Sequence, residues 1–154
     1  MTREEAFWQG FLKETGLDPQ TPCCDTFSFG MDRQSANDLL ALVLEGKKRA
    51  TSSSLLGYQA EGEPIPQAGA YSVVTDYDGE PYCVIRTDRV EVLPFREVTF
   101  EKCSLEGEDT CLESWQANHE AFFRGEGAEI GYTFTPEMPV VFEHFSVVYR
   151  KNEK

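Results

Sequence analysis

Residues 70–93, AYSVVTDYDGEPYCVIRTDRVEVL, predict a β-hairpin. Two runs that contain valine, isoleucine, threonine and tyrosine flank a polar turn, and residues of these types favour strands. The turn contains Asp78 and Gly79, a dipeptide that is common in tight connections between antiparallel strands. We therefore expect antiparallel strands at residues 70–77 and 81–93.

Three amphipathic helices are expected around this hairpin, two before it and one after it. The first has a capping box at Thr2 and Glu5. The second begins at a cap formed by Ser35 and Asp38, and the third begins near Thr110. Each shows apolar residues at helical spacing, which predicts one buried face. The residues expected on these faces are Phe7, Trp8, Phe11, Leu12, Ala36, Leu39, Leu40, Val43, Leu44, Leu112, Trp115, Phe122 and Phe123.

The remaining segments are expected to be connections and one closing strand. Residues 17–31 and 57–69 carry prolines and no helical period, so we expect loops or extended chain there. Residues 95–100 predict a short helix or turn, and the three glycines within residues 125–131 predict a loop. Residues 138–150, MPVVFEHFSVVYR, predict a final strand. This order of elements indicates an α+β domain with a mostly antiparallel sheet.

Composition indicates a globular protein and narrows its partners. The chain has 154 residues, of which 40% are hydrophobic, and a formal net charge of -13. This acidity opposes loose association with nucleic acid, which depends on basic surfaces. No apolar run approaches the roughly 18 residues of a membrane span. The first residues include acids where a secretory leader would be basic, so we expect a soluble cytoplasmic protein.

Positive charge is concentrated in residues 44–63, LEGKKRATSSSLLGYQAEGE. Lys47, Lys48 and Arg49 follow a predicted helix, whose carboxyl end attracts cations. A structural role therefore accounts for part of this pattern. However, four hydroxyl residues starting at Thr51 come directly afterwards, and such a run could bind an oxyanion or supply a nucleophile beside a lysine base.

Acidic residues before the third helix are the candidate partners of this basic run. In residues 105–110, LEGEDT, Asp109 is explained by the partial positive charge at a helix start. Glu106 and Glu108 lie further out, on either side of a glycine, and one of them could reach the lysine. A lysine, a threonine and a glutamate would together form a plausible hydrolytic site.

Metal and cofactor sites are not indicated. His119 and His144 have no partner at metal-ligand spacing, and an odd cysteine count without a CxxC pair argues against a zinc site or a disulfide framework. The sequence also has no dinucleotide or phosphate-loop motif. We therefore expect neither a cofactor nor a metal.

Several blocks together resemble an ASCH domain, a member of the PUA-like group. They are FSFG (27–30), LLALVLEGKKRATSSSL (39–55), PIPQAGAYSVV (64–74), CVIRTDRVEVLPFREV (83–98), EGED (106–109), LESWQANHEAFF (112–123) and MPVVFEHFSVVY (138–149). The resemblance implies a small, partly closed, mostly antiparallel β-barrel with surrounding helices. It places this domain at residues 25–150, after an N-terminal helix and extended connection at residues 1–24.

The resemblance also implies candidate catalytic residues. The family's GxKxxT signature matches Gly46, Lys48 and Thr51, so Lys48 is the lysine expected to point into a cleft. Some small ASCH proteins are amidohydrolases that deacetylate acetylcytidine with a lysine, a threonine and a glutamate. The glutamate best matches Glu108, with Glu106 as the second candidate, because relatives commonly read EGEGD where this chain reads EGED. We expect Lys48 to be a surface residue that contributes little to stability.

The expected ligand is a nucleoside, a nucleotide or RNA. Lys47 and Arg49 would flank the opening, and Tyr58 or Tyr71 could stack on a base. The other candidate ligand-binding residues are Ser52, Glu106 and Arg86. The alternatives are a binding module without catalysis, a ribonuclease, as described for other members, or a domain that serves mainly in a protein complex. The sequence does not indicate an oligomeric state.

Overall fold

The computed structural model describes residues 1–151, which form five α-helices and five β-strands. The helices are α1 (Arg3–Thr15), α2 (Arg33–Leu44), α3 (Leu55–Glu61), α4 (Phe100–Cys103) and α5 (Leu112–Ile130). The strands are β1 (Asp25–Phe27), β2 (Ala50–Ser54), β3 (Tyr71–Thr75), β4 (Pro81–Pro94) and β5 (Pro139–Arg150). Two 3-10 turns, Phe95–Glu97 and Ser104–Glu106, flank α4.

The strands form one mixed sheet in the order β1-β3-β4-β5-β2. Strand β1 is parallel to β3, whereas β3 pairs antiparallel with β4 and β2 pairs antiparallel with β5. These pairings confirm the predicted α+β class with a mostly antiparallel sheet. They also make β2, with its run of hydroxyl residues, an edge strand next to β5.

The predicted hairpin is confirmed as β3 and β4. Val73 lies opposite Val84, and the register shifts by a bulge between Val74 and Thr75. In the turn, the Asp76 carboxylate accepts hydrogen bonds from the backbone N–H groups of residues 78 and 80, at 3.0 and 2.9 Å. Gly79 has a φ of 87°, a conformation that glycine adopts without strain.

The chain forms two compact units, and the first comprises residues 1–46, residues 68–88 and the C-terminal segment from Phe145. Val73 and Val74 are both fully buried, because neighbouring strand residues point to opposite faces and each face is covered. Val73 packs in a cluster with Trp8, Phe11, Leu12 and Val84. Val74 packs in a cluster with Phe29, Leu40, Val43, Cys83, Ile85 and Phe145. Helix α1 therefore packs on the hairpin. The predicted domain boundary after residue 24 stays a prediction.

The second unit comprises residues 47–67 and 89–144 and carries its own hydrophobic core. Trp115 and Phe123 of α5 are fully buried at its centre. Phe95 stacks on Trp115, with ring centroids 5.3 Å apart. The remaining buried members of this cluster are Val98, Cys103, Phe134, Met138 and Val140. This core holds α5 against the elements that carry the candidate site.

Strand β2 and helix α3 were not predicted, and most of α3 falls in a segment expected to be a loop. The helix begins because the Ser54 hydroxyl accepts a hydrogen bond from the Gly57 N–H at 3.2 Å, which caps its first turn. It ends at Gly62, which adopts the left-handed conformation. The hydroxyl run at residues 51–54 therefore forms an edge strand and a helix cap.

Two predicted helix boundaries were wrong. Helix α2 begins at Arg33, because Asp32 and Ser35 form a reciprocal capping box in place of the expected cap at Ser35 and Asp38. Helix α5 continues through the expected glycine loop and ends only at Gly131. Gly127 is required inside this helix, since a Cβ atom there would lie 2.3 Å from the carbonyl oxygen of Tyr132.

No helix within residues 1–151 combines the length and the apolar character that crossing a bilayer requires.

Candidate functional site

The side chain of Lys48 is buried between two carboxylates. Its Nζ atom donates hydrogen bonds to the carbonyl oxygen of Ala50 at 3.0 Å and to Oε2 of Glu108 at 2.7 Å. Oε1 of Glu106 lies 3.5 Å from the same nitrogen. Lys48 is only 2% exposed, so the expectation of a surface lysine is wrong. A buried ammonium must be paired, and here it has two acidic partners.

Gly107 allows both glutamates to reach Lys48. It follows the 3-10 turn and has a φ of 73°. A Cβ atom at this position would lie 2.6 Å from the carbonyl oxygen of Lys47, so a larger residue would separate the acidic turn from the basic segment. The N–H of Arg49 also donates to the carbonyl oxygen of Leu105 at 2.7 Å. Backbone contacts thus join the two segments.

Glu106 contacts side chains from several parts of the site. Its Oε2 atom accepts hydrogen bonds from Nε1 of Trp115 at 2.7 Å and from Oγ of Ser52 at 3.1 Å. Burial would by itself raise the pKa of the Glu106 carboxyl, but His119, Lys48 and Trp115 outweigh it and hold this pKa below its usual value. Glu106 is therefore a buried carboxylate that retains its negative charge.

His119 faces hydrogen-bond acceptors at both ring nitrogens. Nδ1 lies 2.9 Å from the carbonyl oxygen of Trp115, and Nε2 lies 3.5 Å from Oε1 of Glu106. The ring also stacks on the Trp115 indole, with centroids 4.3 Å apart. Burial would lower the pKa of His119, but the Glu106 carboxylate outweighs this effect and raises it. Two acceptors suit the doubly protonated ring, in which both nitrogens donate.

The site can therefore hold balanced charge. The positive groups are Lys48 and protonated His119, and the negative groups are Glu106 and Glu108. The side chain of Glu108 is 27% exposed, whereas those of Lys48 and Glu106 are nearly inaccessible. A ligand from solvent would consequently reach Glu108 first.

Thr51 and Ser52 lie on opposite faces of β2. Consecutive strand residues alternate, and Thr51 lies opposite Glu143 of β5 while Ser52 lies opposite Phe142. The Ser52 hydroxyl is the one that donates to Glu106. The structure thus brings Lys48, Ser52 and both glutamates together. The role of Thr51 as a nucleophile stays a prediction.

The other candidate residues have different surroundings. Tyr58 lines a cavity of about 200 Å³ with Glu61, Glu63 and Glu126, rather than with the residues around Lys48. In the first unit, Tyr71 packs with Trp8 and Phe11. Their roles in stacking on a base stay predictions.

The three candidate cations also differ in surroundings. Lys47 and Arg49 are exposed on either side of Lys48 in the sequence. In the first unit, Nε of Arg86 pairs with Asp88 at 2.9 Å. None of the three is buried, so none is held in place in the way that Lys48 is.

Sequence reasoning did not identify Trp115 and His119 as parts of the site. Trp115 was assigned to the core, where its ring does lie, but its indole N–H also reaches Glu106. His119 follows Trp115 by one helical turn, a spacing that brings side chains together. A tryptophan and a histidine at this spacing, directly after an acidic turn, were the available signal.

The comparisons with known proteins agree with this fold. The family model of the ASCH domain matches residues 25–149. This chain therefore belongs to the ASCH domain family. No curated relative matches it significantly.

Solved structures support the same assignment. The crystal structure of protein EF3133 from Enterococcus faecalis V583 is similar at 37% identity and a TM-score of 0.88, over 96% of this chain and 89% of that one. An ASCH domain from Lactobacillus crispatus JV V101 is similar at 33% identity and a TM-score of 0.87, over 96% of this chain and 95% of that one. The predicted PUA-like fold class and the family resemblance are confirmed.

Proposed function

We propose that this protein is an amidohydrolase that removes an acyl group from a nucleoside such as acetylcytidine, without a metal. The observation that carries this proposal is the contact of the buried Lys48 side chain with Glu108, whose carboxylate is the accessible end. Burial of a lysine between two carboxylates costs folding free energy unless the pairing geometry is very good, so such a lysine is otherwise expected to have a functional role. The neighbouring Glu106 and His119 have shifted pKa values, and groups of that kind cluster at functional sites.

The surface charges favour a small ligand over a long polyanion. The chain carries a net charge of -13. The arginines of β4 and its exit each have a carboxylate partner: Arg86 with Asp88, Arg89 with Glu91 and Arg96 with Glu137. A continuous basic groove would need several unneutralised cations along one face. A small ligand that approaches Lys48 through the accessible carboxylate of Glu108 avoids this requirement.

Amide hydrolysis through an acyl-enzyme needs a nucleophile, a group that moves its proton and stabilisation of the oxyanion, and here the nucleophile is a hydroxyl. In the proposed reaction the hydroxyl oxygen bonds to the acyl carbon, the C–N bond breaks, and the hydroxyl proton passes through Glu108 to the leaving amine. Lys48, as an ammonium, orients Glu108 and stabilises the negative charge on the acyl oxygen. Water then hydrolyses the acyl ester and regenerates the hydroxyl.

Two hydroxyls are candidates for the attacking group. Thr51 is favoured by the family signature. Ser52 is favoured by its hydrogen bond to Glu106, 3.1 Å away. Because the two lie on opposite faces of β2, substitution of each in turn distinguishes them.

The direct test is release of cytidine from acetylcytidine, followed by chromatography. We expect release by the wild type, a loss of at least about a hundredfold in Glu108→Gln, since proton transfer contributes about that much, and normal release by the control Glu101→Gln on α4. Wild-type rates in Glu108→Gln would overturn the proposal. Absence of release from every protein would favour a module that binds nucleotides or RNA without catalysis.

A further inference from the structure

Three hydrogen-bond donors, an ammonium, a guanidinium and an imidazole, contact the carboxylate of Glu91 in the second unit. Its Oε1 atom lies 2.8 Å from Nζ of Lys102 and 2.7 Å from Nη2 of Arg89. Its Oε2 atom lies 2.8 Å from Nε2 of His144. We refer to Arg89, Glu91, Lys102 and His144 as the Glu91 cluster.

The Glu91 cluster carries an excess of positive charge. Hydrogen bonds from Lys102, His144 and Arg89 lower the pKa of Glu91 to about 2, so this carboxylate is ionised at neutral pH. One negative charge therefore faces a guanidinium and an ammonium. In a chain with a net charge of -13, this is a local reversal of sign.

The cluster also retains donors that a ligand could use. An ammonium has three N–H donors and a guanidinium has five, and each contact to Glu91 uses one nitrogen. The side chains of Lys102, Arg89 and His144 are 30%, 63% and 21% exposed, so they are accessible from solvent. The Glu91 carboxylate contacts all three donor side chains and thereby holds them close to one another.

The cluster adjoins the Lys48 site along the same elements. His144 lies opposite Ala50 in the pairing of β5 with β2, and the carbonyl oxygen of Ala50 accepts the hydrogen bond from Lys48. Lys102 lies on α4, which leads directly into the 3-10 turn that contains Glu106. A ligand at Lys48 could therefore extend an attached group toward the cluster.

We propose that Arg89, Lys102 and His144 bind a phosphate group. A phosphate offers several acceptor oxygens and is matched by guanidinium and ammonium donors. This inference rests on the proposed function and narrows its substrate class from an acylated nucleoside to an acylated nucleotide. The phosphate would occupy the Glu91 cluster while the acyl group lies at Lys48 and Glu108.

The chain contains a matched control on the same strand. Arg86 pairs with Asp88 at 2.9 Å, and Arg89 pairs with Glu91 at 2.7 Å, both across two positions of β4. Asp88 pairs with Arg86 and also accepts a hydrogen bond from the Ser146 hydroxyl. Arg86→Ala therefore removes an equivalent surface cation without touching the proposed phosphate site.

Binding can be tested without turnover, using the ring signals of the two histidines in an NMR titration with inorganic phosphate at constant ionic strength. We expect the His144 signals to shift saturably, while those of His119 in the Lys48 site stay constant. Arg89→Ala and Lys102→Ala should each weaken phosphate binding roughly tenfold or more, because each removes a charge-assisted hydrogen bond. Arg86→Ala should bind normally. An unresponsive His144, or equal weakening by Arg86→Ala, would overturn the phosphate site whether or not the protein is a hydrolase.

Substrate comparisons then separate the sources of the phosphate. We expect acetylcytidine 5′-monophosphate to have a lower KM than acetylcytidine, and Lys102→Ala to abolish that difference while leaving turnover of the unphosphorylated compound intact. If cytidine monophosphate binds as tightly as a 5′-phosphorylated RNA oligonucleotide, the phosphate recognised by the site belongs to a free nucleotide. Tighter binding of the oligonucleotide would indicate an RNA end. Equal binding of phosphorylated and unphosphorylated compounds would contradict the site.

Discussion

Nζ of Lys48 lies 2.7 Å from Oε2 of Glu108, although the two residues are 60 positions apart in the chain. The contact joins the segment before β2 to the turn before α5, where Gly107 permits their close approach. It gives a buried cation one accessible acidic partner and one inaccessible partner, Glu106. The proposed chemistry depends on this arrangement.

The buried charges should make Lys48 important for stability. Lys48→Met keeps much of the side-chain volume but leaves Glu106 without its cation, and loss of one partner of a buried ion pair costs about 3–5 kcal/mol. The double variant Lys48→Met, Glu106→Gln should be less destabilised than Lys48→Met alone, because it removes both charges. Urea unfolding of Lys48→Met, Glu106→Gln and the double variant measures this difference. A double variant that is destabilised by the sum of the single effects would contradict the coupling.

The Glu106 and His119 pair should give the folded protein a pH window. The lowered pKa of Glu106 adds stability above its ordinary value of 4.5, and this stability is lost as the pH falls through the folded-state pKa. The raised pKa of His119 adds stability below its ordinary value of 6.5, and this stability is lost as the pH rises through the folded-state pKa. Both contributions are therefore complete between about pH 4.5 and 6.5.

Unfolding free energies measured across pH check this window. His119→Gln should remove the decline on the alkaline side that His119 causes. It should also weaken the acid side, because His119 helps to lower the pKa of Glu106, but Lys48 and Trp115 should preserve part of that dependence. NMR titration of the His119 ring provides a second measurement, since Glu106→Gln should lower its pKa. An unchanged pKa in that variant would contradict the pairing.

Gly107→Ala should disrupt the site as well as strain the backbone. Gly107 and Gly62 have similar φ values of 73° and 68°, but only at Gly107 would a Cβ atom collide, at 2.6 Å from the Lys47 carbonyl oxygen. Gly62→Ala should cost roughly 1–2 kcal/mol through its left-handed conformation and leave ligand handling normal. Gly107→Ala should cost more and impair cytidine release. Equal effects on stability and activity would show that the close approach at Gly107 is unimportant.

Substitutions in β2 should identify the reacting hydroxyl. If Thr51 attacks the acyl group, Thr51→Ala should abolish cytidine release and Ser52→Ala should leave most of it. If Ser52 attacks, the effects should be reversed, because alternation along the strand gives the two side chains different faces. Mass spectrometry of the stalled acyl-enzyme would locate the ester. Full release by both single variants would exclude a hydroxyl of this pair as the nucleophile.

The hairpin, three helices and the closing strand could be predicted because local signals agree with the tertiary structure there. Strand β2 could not, since serine-rich segments favour turns and caps, and the strand is stabilised by its pairing with β5. The extension of α5 across Gly125 and Gly127 also depends on tertiary packing, because Gly127 accommodates the Tyr132 backbone. In both cases long-range contacts override local propensity.

The site could be predicted in part. The family resemblance pointed to Lys48 and Glu108, and the structure places them in contact. The burial of Lys48 and the role of His119 could not be foreseen, because both depend on how α5 packs beside the acidic turn. The spacing of Trp115 and His119 brings their two rings together, but it does not show how α5 packs against Glu106.

We propose that the pair of Lys48 and Glu108 catalyses amide hydrolysis. The most direct measurement is cytidine release from acetylcytidine by folded wild type and folded Glu108→Gln at equal concentration, with Glu101→Gln as the control. We expect release by the wild type and the control, and a loss of at least about a hundredfold in Glu108→Gln. Equal release by wild type and Glu108→Gln would contradict it.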